Sequence, residues 1–199
     1  MRLTLRAFRH IAFLVLSGLL LGRFAHAQQK TFTLDPAQTK VNFTVDSTLH
    51  TVHGDFHLKR GSIQFDNSTG IAGGELVVDS ASGESGSDGR DKKMHKDVLE
   101  SQKYGDIVFT PQRVKGTVAD QGKSTVEVEG ILTMHGKSNP VTMPLEVQLQ
   151  NGAGSADGSF SVKYREWGMK NPSTFILRVN EKVEILVHGV GKFTAATAN

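Results

Sequence analysis

Cysteine is missing from all 199 residues of the chain, and so are the short motifs of several enzyme classes. Without cysteine the protein has no disulfide, no thiol nucleophile and no attachment point for a lipoprotein anchor. Neither a G-x-S-x-G turn nor a phosphate-binding P-loop occurs. Their absence leaves catalysis by a pair of carboxylates open, because such a pair has no local motif. Stability must come from a packed core and from backbone hydrogen bonds.

The chain also lacks an apolar stretch long enough to span a bilayer. Its main apolar run, residues 11–21, follows Arg2, Arg6 and Arg9 and precedes Ala25-His26-Ala27, which has the A-x-A form of a cleavage site. A spanning helix needs about 20 apolar residues. The arrangement predicts a Sec-type signal peptide over residues 1–27, cleaved after Ala27, and a periplasmic or secreted protein. A membrane anchor is the alternative.

An excess of charge of one sign is absent from the mature chain. The full sequence has a formal net charge of +3, but the signal peptide contributes four arginines and no acidic residue. Residues 28–199 then carry 19 basic and 20 acidic side chains. The basic composition therefore gives no argument for a nucleic-acid partner. The length is sufficient for one domain with a sizeable core.

Most of the mature chain alternates between apolar and polar residues, as half-buried β-strands do. Turn sequences such as Asn151-Gly152 separate the alternating segments at short intervals. This pattern is typical of an all-β antiparallel barrel or sandwich and does not decide between the two. Small or flexible residues at inward positions favour a barrel with room for a slender ligand: Gly54, Gly130, Met134 and Met143.

One segment departs from this alternation and is predicted to form a helix over about residues 88–101. Met94 and Val98 stand four residues apart and would share an apolar side. Asp88 is a candidate N-cap, and Gly105 suits the end of the helix. A single helix among strands usually covers an opening. We therefore expect it to close one end of a barrel.

Four blocks of sequence resemble a known family when their order and spacing are taken together. The first is Leu34-Asp35-Pro36, Val41-Asn42-Phe43-Thr44-Val45, Val52-His53-Gly54-Asp55-Phe56 and Gly61-Ser62-Ile63. The second is Arg90-Asp91, Met94-His95, residues 99–101 and Lys103-Tyr104 before Ile107 and Phe109. The third and fourth are residues 130–136 with Pro140-Val141-Thr142, and residues 160–168. Together they resemble the YceI-like family of exported polyisoprenoid-binding proteins.

The resemblance implies an eight-stranded antiparallel lipocalin-like barrel, formed by residues 28–199, with a hydrophobic tunnel for one long-chain isoprenoid of polyprenyl or quinone type. The predicted tunnel wall comprises Phe43, Val45, Phe56, Val78, Phe109, Leu132, Met134, Met143, Leu145, Phe160, Val162, Ile185 and Val187. The head group or tunnel mouth is predicted to involve Arg90, His95, Arg165 and Trp167.

Each of these assignments has a structural alternative. The wall residues would equally fill a dry core. Arg90 and Asp91 would form an ion pair that fixes the helix. Trp167 would pack half-buried, with a partner for its indole N–H.

The spacing of His53 and His57 suits a zinc site only on a helix. On a strand the two residues lie about 13 Å apart at roughly 3.3 Å per residue. One ion with ligand bonds of about 2 Å cannot join them. The sequence therefore predicts no metal and no cofactor, with a site built on His53 and Asp55 as the alternative.

The predicted function is non-enzymatic carriage or storage of an isoprenoid or other long-chain amphiphilic lipid in the periplasm. Each methylene kept from water is worth roughly 0.8 kcal/mol, so such a chain does not cross an aqueous compartment alone. One alternative is an enzyme acting on an amphiphilic lipid in the same pocket through Arg90, Asp91, His95 and Arg165. Another is a structural or stress-related barrel that is packed solid. Transient membrane contact and a homodimer are further hypotheses.

Overall fold

The computed structural model describes residues 29–195, so the predicted signal peptide lies outside the described residues. The strands are β1 Gln29–Leu34, β2 Lys40–Ser47, β3 Thr51–Phe56, β4 Leu58–Asp66, β5 Ala72–Asp79, β6 Asp106–Lys115, β7 Gly122–Met134, β8 Lys137–Gln150, β9 Ala153–Lys163 and β10 Val179–Ala195. Helix α1, Asp88–Lys93, continues as a π-helical turn, Met94–Val98. Two 3₁₀ turns are Ser80–Ser82 and Tyr164–Trp167.

The ten strands form a closed eight-stranded antiparallel barrel, because two strands of the barrel are interrupted. One of them consists of β1 and β2, and the other of β3 and β4. The sheet runs without a break from β4 to β10 and closes through β1. The long strand β10 pairs with β1 at one end and with β2 at the other. Strand β4 pairs with β1, and strand β3 pairs with β2. The predicted eight-stranded barrel is confirmed.

Tight turns set the register of the long hairpins. Asn151 and Gly152 both have positive φ, as a two-residue turn between twisted strands requires. His135 and Gly136 both have positive φ in the turn between β7 and β8. Pro140 lies inside β8, opposite Ile131.

Strand β6 is a single element that contains Pro111. Its register with β7 shifts between Pro111 and Arg113, which marks a bulge at the proline.

The helix ends at Val98, three residues earlier than expected, and not at Gly105. The N–H of Leu99 bonds to the carbonyl of Met94 in the last π-type bond. Glu100 then takes a left-handed conformation with φ of 48°, which stops the helix. The residue before the helix is Ser87 instead of Asp88, and its side chain makes no cap bond.

The barrel interior is packed solid in the half that contains the turns 67–71, 116–121 and 151–152, which we call the closed end. Phe32 stacks on Phe193 there, with ring centroids 4.1 Å apart. The buried Lys30 Nζ donates to the Val118 carbonyl over 2.8 Å and pairs with Asp120 at 2.7 Å. Further packed side chains include Leu34, Phe65, Val126, Val128, Val147 and Leu149. The predicted tunnel is therefore blocked at this end.

The opposite end, which we call the mouth, is formed by residues 48–50, by helix α1 and by residues 168–178. Within residues 29–195, β3 and β6 do not pair there. The segment 80–98 fills that gap, since Asp55 of β3 exchanges two backbone bonds with Glu84, at 2.9 and 3.0 Å. The helix thus lies near one end of the barrel, as expected.

Candidate functional site

A cavity of about 490 Å³ occupies the half of the barrel next to the mouth. This volume lies in the range of small-molecule pockets, roughly 300–1,000 Å³. Apolar side chains from β2 to β10 form most of the wall, and α1 with its π-helical turn completes it. No aspartate or glutamate of residues 29–195 lies on the wall. The lining therefore suits a hydrocarbon chain and offers no carboxylate to repel an anionic group.

Twelve of the thirteen predicted wall residues line this cavity. They are Phe43, Val45, Phe56, Val78, Phe109, Leu132, Met134, Met143, Phe160, Val162, Ile185 and Val187. Leu145 does not: it is buried below the cavity floor, because its side chain packs into the space beside Gly158. Contact with a ligand remains a prediction for all of them.

The glycines that suggested an open interior have another role, so that interpretation is wrong for them. A Cβ on Gly54 would overlap the ring of Phe43, and one on Gly130 would come within 2.6 Å of the ring of Phe109. Each glycine thus makes room for an aromatic ring of a neighbouring strand. Met134 and Met143, by contrast, do face the cavity.

Several lining residues were not predicted. Val41 and Val183 lie in strands whose alternation was recognised, so that signal could have found them. Met169, Pro172 and Leu177 come from the irregular segment after Trp167, where no periodicity marks an inward side.

Three exposed residues on the cavity wall show where the cavity opens to solvent. His50 comes from the β2–β3 turn, Lys93 from α1 and Thr174 from the loop before β10. Among residues 29–195, Lys93 and the half-buried Arg90 are the two permanent cations of the lining. The mouth is therefore cationic and the interior apolar.

Arg90 is held against the wall by Ser85. Its Nε donates to Ser85 Oγ over 2.7 Å, and its Nη2 donates to the Ser85 carbonyl over 2.6 Å. Asp91 accepts from the hydroxyl and from the backbone N–H of the same serine. Arg90 and Asp91 are thus joined through Ser85 and do not form the direct ion pair considered above.

The environment of Asp91 lowers the pKa of its carboxyl. Burial alone would raise this pKa, but the hydrogen bonds from Ser85 and Ser87 and the charge of Arg90 outweigh burial. The carboxylate is therefore the form that fits this site.

His95 does not reach the cavity and instead fixes the helix. Its Nε2 donates to the Gly83 carbonyl over 2.8 Å, and its Nδ1 lies 3.0 Å from Ser101 Oγ. Ser101 is buried and bonds in turn to Ser80. These contacts of His95 are structural, and its head-group role stays a prediction.

Arg165 and Trp167 also lie away from the cavity wall. Arg165 forms an exposed ion pair with Glu181 at 2.7 Å. Trp167 is only 2% exposed, and its indole N–H donates to the carbonyl of Leu132. Trp167 therefore packs behind the wall and does not gate the mouth.

Residues 29–195 contain no group of three or more His, Asp or Glu side chains placed to hold a metal ion. His53 Nδ1 lies 3.0 Å from Thr44 Oγ1. Among the helices of this part of the chain, none is long and apolar enough to cross a membrane.

Comparison with known proteins identifies relatives of the sequence and of the fold. A UPF0312 protein of Vibrio parahaemolyticus is 30% identical over 126 residues, which are 60% of this chain and 64% of that protein. A UPF0312 protein of Vibrio campbellii is 29% identical over 126 residues, 61% and 64% of the two chains. The chain thus spans just under two thirds of the length of the curated relatives it matches.

Two solved structures share the fold. BcnA of Burkholderia cenocepacia superposes with a TM-score of 0.65 at 21% identity, over 80% of this chain and 99% of that one. A polyisoprenoid-binding domain from Saccharophagus degradans, implicated in plant cell wall breakdown, gives 0.63 at 18% identity, over 81% and 98%. The model of the YceI-like domain matches residues 32–190. The chain belongs to the YceI-like family.

Proposed function

We propose that this protein binds one long-chain isoprenoid, or a similar amphiphilic lipid, with its tail in the cavity and its head at the mouth, and carries it through the periplasm. The observation that carries the proposal is an apolar cavity of about 490 Å³ with cations at its opening. The fold shared with a polyisoprenoid-binding domain supports a lipid ligand. The predicted signal peptide supports the periplasmic location.

The apolar wall provides the binding free energy. Ten buried methylenes would contribute about 8 kcal/mol. The loss of translational and rotational freedom opposes binding by roughly 4 kcal/mol or more. A short chain therefore binds weakly, and a tail that fills the cavity binds tightly. Because the closed end is packed, a polyprenyl chain longer than the cavity leaves its excess outside the mouth.

The charges at the mouth favour an anionic head, such as a phosphate, over a neutral one. Ser85 engages Nε and Nη2 of Arg90 and makes no bond to Nη1. Lys93 adds a second cation on the same helix. A neutral quinone head would gain less from this pair.

An enzyme acting on the lipid has less support. Of the four polar residues that motivated it, only Arg90 lines the cavity. Asp91 and His95 hold the segment around Gly83 and Ser85, and Arg165 lies in its exposed ion pair. A homodimer stays a hypothesis.

Binding is tested with protein exported by its own signal peptide and purified without denaturant. We expect mass spectrometry of the intact protein to show one bound lipid. After delipidation, farnesyl phosphate should bind more tightly than farnesol. Arg90→Ala and Lys93→Ala should reduce that preference about tenfold, while Lys96→Ala, on the exposed side of the helix, should not. Protein that neither carries nor takes up any lipid would refute the proposal.

A further inference from the structure

Three large apolar side chains near the mouth are exposed to solvent. Phe175 is 95% exposed, Ile176 78% and Leu49 68%. We call these three residues the mouth patch. The other large apolar side chains with high exposure in residues 29–195, Ile71 and Leu186, lie in the β4–β5 turn and in β10. Exposed apolar groups are thus concentrated beside the opening of the cavity.

The loop that carries Phe175 and Ile176 is ordered by its own hydrogen bonds. The N–H of Thr174 donates to the carbonyl of Leu177 over 2.8 Å, and the N–H of Leu177 donates to Thr174 Oγ1 over 3.1 Å. These bonds place Phe175 and Ile176 at the tip of a tight turn. The two side chains are therefore held outward by the backbone.

The mouth patch is continuous with the cavity. Thr48 N–H donates to the Arg178 carbonyl over 2.9 Å, and Arg178 N–H donates to Thr48 Oγ1 over 3.2 Å, so the two loops form one unit. The same loops supply His50, Pro172 and Leu177 to the cavity wall. A surface that met the patch would also cover the opening.

The two loops that carry the patch, residues 48–50 and 168–178, contain basic and no acidic side chains. The loop 168–178 contains Lys170 and Arg178, both exposed, and no acidic residue. Lys93 is exposed on the helix across the opening. Acidic side chains lie outside these loops: Asp46 accepts from Thr51 over 2.6 Å, Glu181 pairs with Arg165, and Asp88 and Glu166 are exposed. Apolar tips on loops that carry cations are the features of a surface that enters an anionic lipid interface.

We propose that the mouth patch inserts into the headgroup region of an anionic lipid bilayer, and that the cavity loads from the membrane at this contact. The inference rests on the proposed function, since it names the surface from which the lipid comes. Three side chains are too few for a stable protein interface, which buries about 800 Å² on each partner. A bilayer needs no complementary shape, and contact there lets the tail enter the cavity without crossing water.

Vesicle flotation tests the docking. Residues 28–199 should float with vesicles of phosphatidylethanolamine and phosphatidylglycerol, less with phosphatidylcholine vesicles, and less at high salt. The double variant Phe175→Ser, Ile176→Ser should lose at least tenfold in vesicle affinity. The matched control is Ile71→Ser, because Ile71 is 63% exposed but lies at the closed end; it should bind like the wild type. Equal binding by the double variant would overturn the inference.

A second variant reports insertion directly. In Phe175→Trp, the new indole should be quenched by brominated lipids, whereas the buried Trp167 of the wild type should not. Absence of additional quenching would count against insertion.

Lipid transfer separates this inference from the proposed function. The double variant should take up a fluorescent isoprenoid from vesicles at least tenfold more slowly than the wild type, and equally fast from cyclodextrin. Equal rates from vesicles would refute loading through the patch and leave lipid binding intact. Failure of the wild type to bind the isoprenoid from cyclodextrin would refute the proposed function, while flotation still decides the docking.

Discussion

The indole Nε1 of Trp167 donates a hydrogen bond to the carbonyl oxygen of Leu132 over 2.9 Å. The bond joins the turn after β9 to strand β7, and the side chain of Leu132 lies on the cavity wall. The tryptophan thus supports the wall from behind. This placement separates residues that shape the cavity from residues that would touch a ligand.

Replacing Trp167 by Phe tests this separation. The substitution removes the indole donor and leaves a void, so we expect the free energy of unfolding to fall by about 1–3 kcal/mol. Lipid affinity should change less than threefold. Urea denaturation and lipid titration measure the two quantities. A large loss of affinity at unchanged stability would place Trp167 in the binding site.

Filling the cavity should weaken lipid binding without unfolding the barrel. Val162 is buried and lines the cavity, so Val162→Trp has space to enter and should weaken lipid binding at least tenfold. Val147 is equally buried but lies in the packed half. Val147→Trp should destabilise the fold by about 1–3 kcal/mol through overpacking. Similar stability losses in both variants would contradict the division into a hollow and a packed half.

Acid should loosen the segment around the helix. The folded-state pKa of Asp91 lies below its ordinary value of 3.8. Its ionised form therefore stabilises the fold above about pH 4, and the stabilisation is lost as the pH falls through the folded-state pKa. Hydrogen exchange in residues 83–98, corrected for intrinsic rates, should be faster at pH 3 than at pH 6. Asp91→Asn should be fast at both values, whereas Asp88→Asn should behave like the wild type.

Removing the imidazole of His95 should free the helix from the 83–85 segment. His95→Ala deletes the bonds to Gly83 and to Ser101, so amide exchange in residues 83–98 should accelerate about tenfold. Lys96→Ala on the exposed side should leave it unchanged. The affinity for farnesyl phosphate and the affinity for farnesol should fall by the same factor, because His95 does not face the cavity. A selective loss for the phosphate would instead assign His95 to the head group.

Alternation in the sequence predicted which side chains face inward, because a strand turns every second residue to the same side. It could not predict where the filling of the interior stops. Met143 and Leu145 share one strand and one face, yet only Met143 lines the cavity. Leu145 packs against Gly158 on the neighbouring strand more closely than Met143 does. Such cross-strand complementarity depends on register and leaves no local signal.

Polar residues near the mouth were the least predictable part of the site. His95 and Arg165 each have partners distant in sequence, Gly83 and Glu181. These partners turn both side chains away from the cavity. Phe175 and Ile176 gave no periodic signal, because their outward position is set by the turn between Thr174 and Leu177.

Strand β10 pairs with both parts of one interrupted strand, β1 and β2, and its residue Ala195 pairs with Lys30. The barrel can therefore be sealed only when the two extremities of the described chain meet. Pairing over such a separation is slow compared with hairpin formation. Until it occurs, β1 and β2 present unpaired edges that invite association with other chains. Newly made molecules are thus prone to aggregate until the barrel closes, and a chaperone that shields strand edges would protect them during this time.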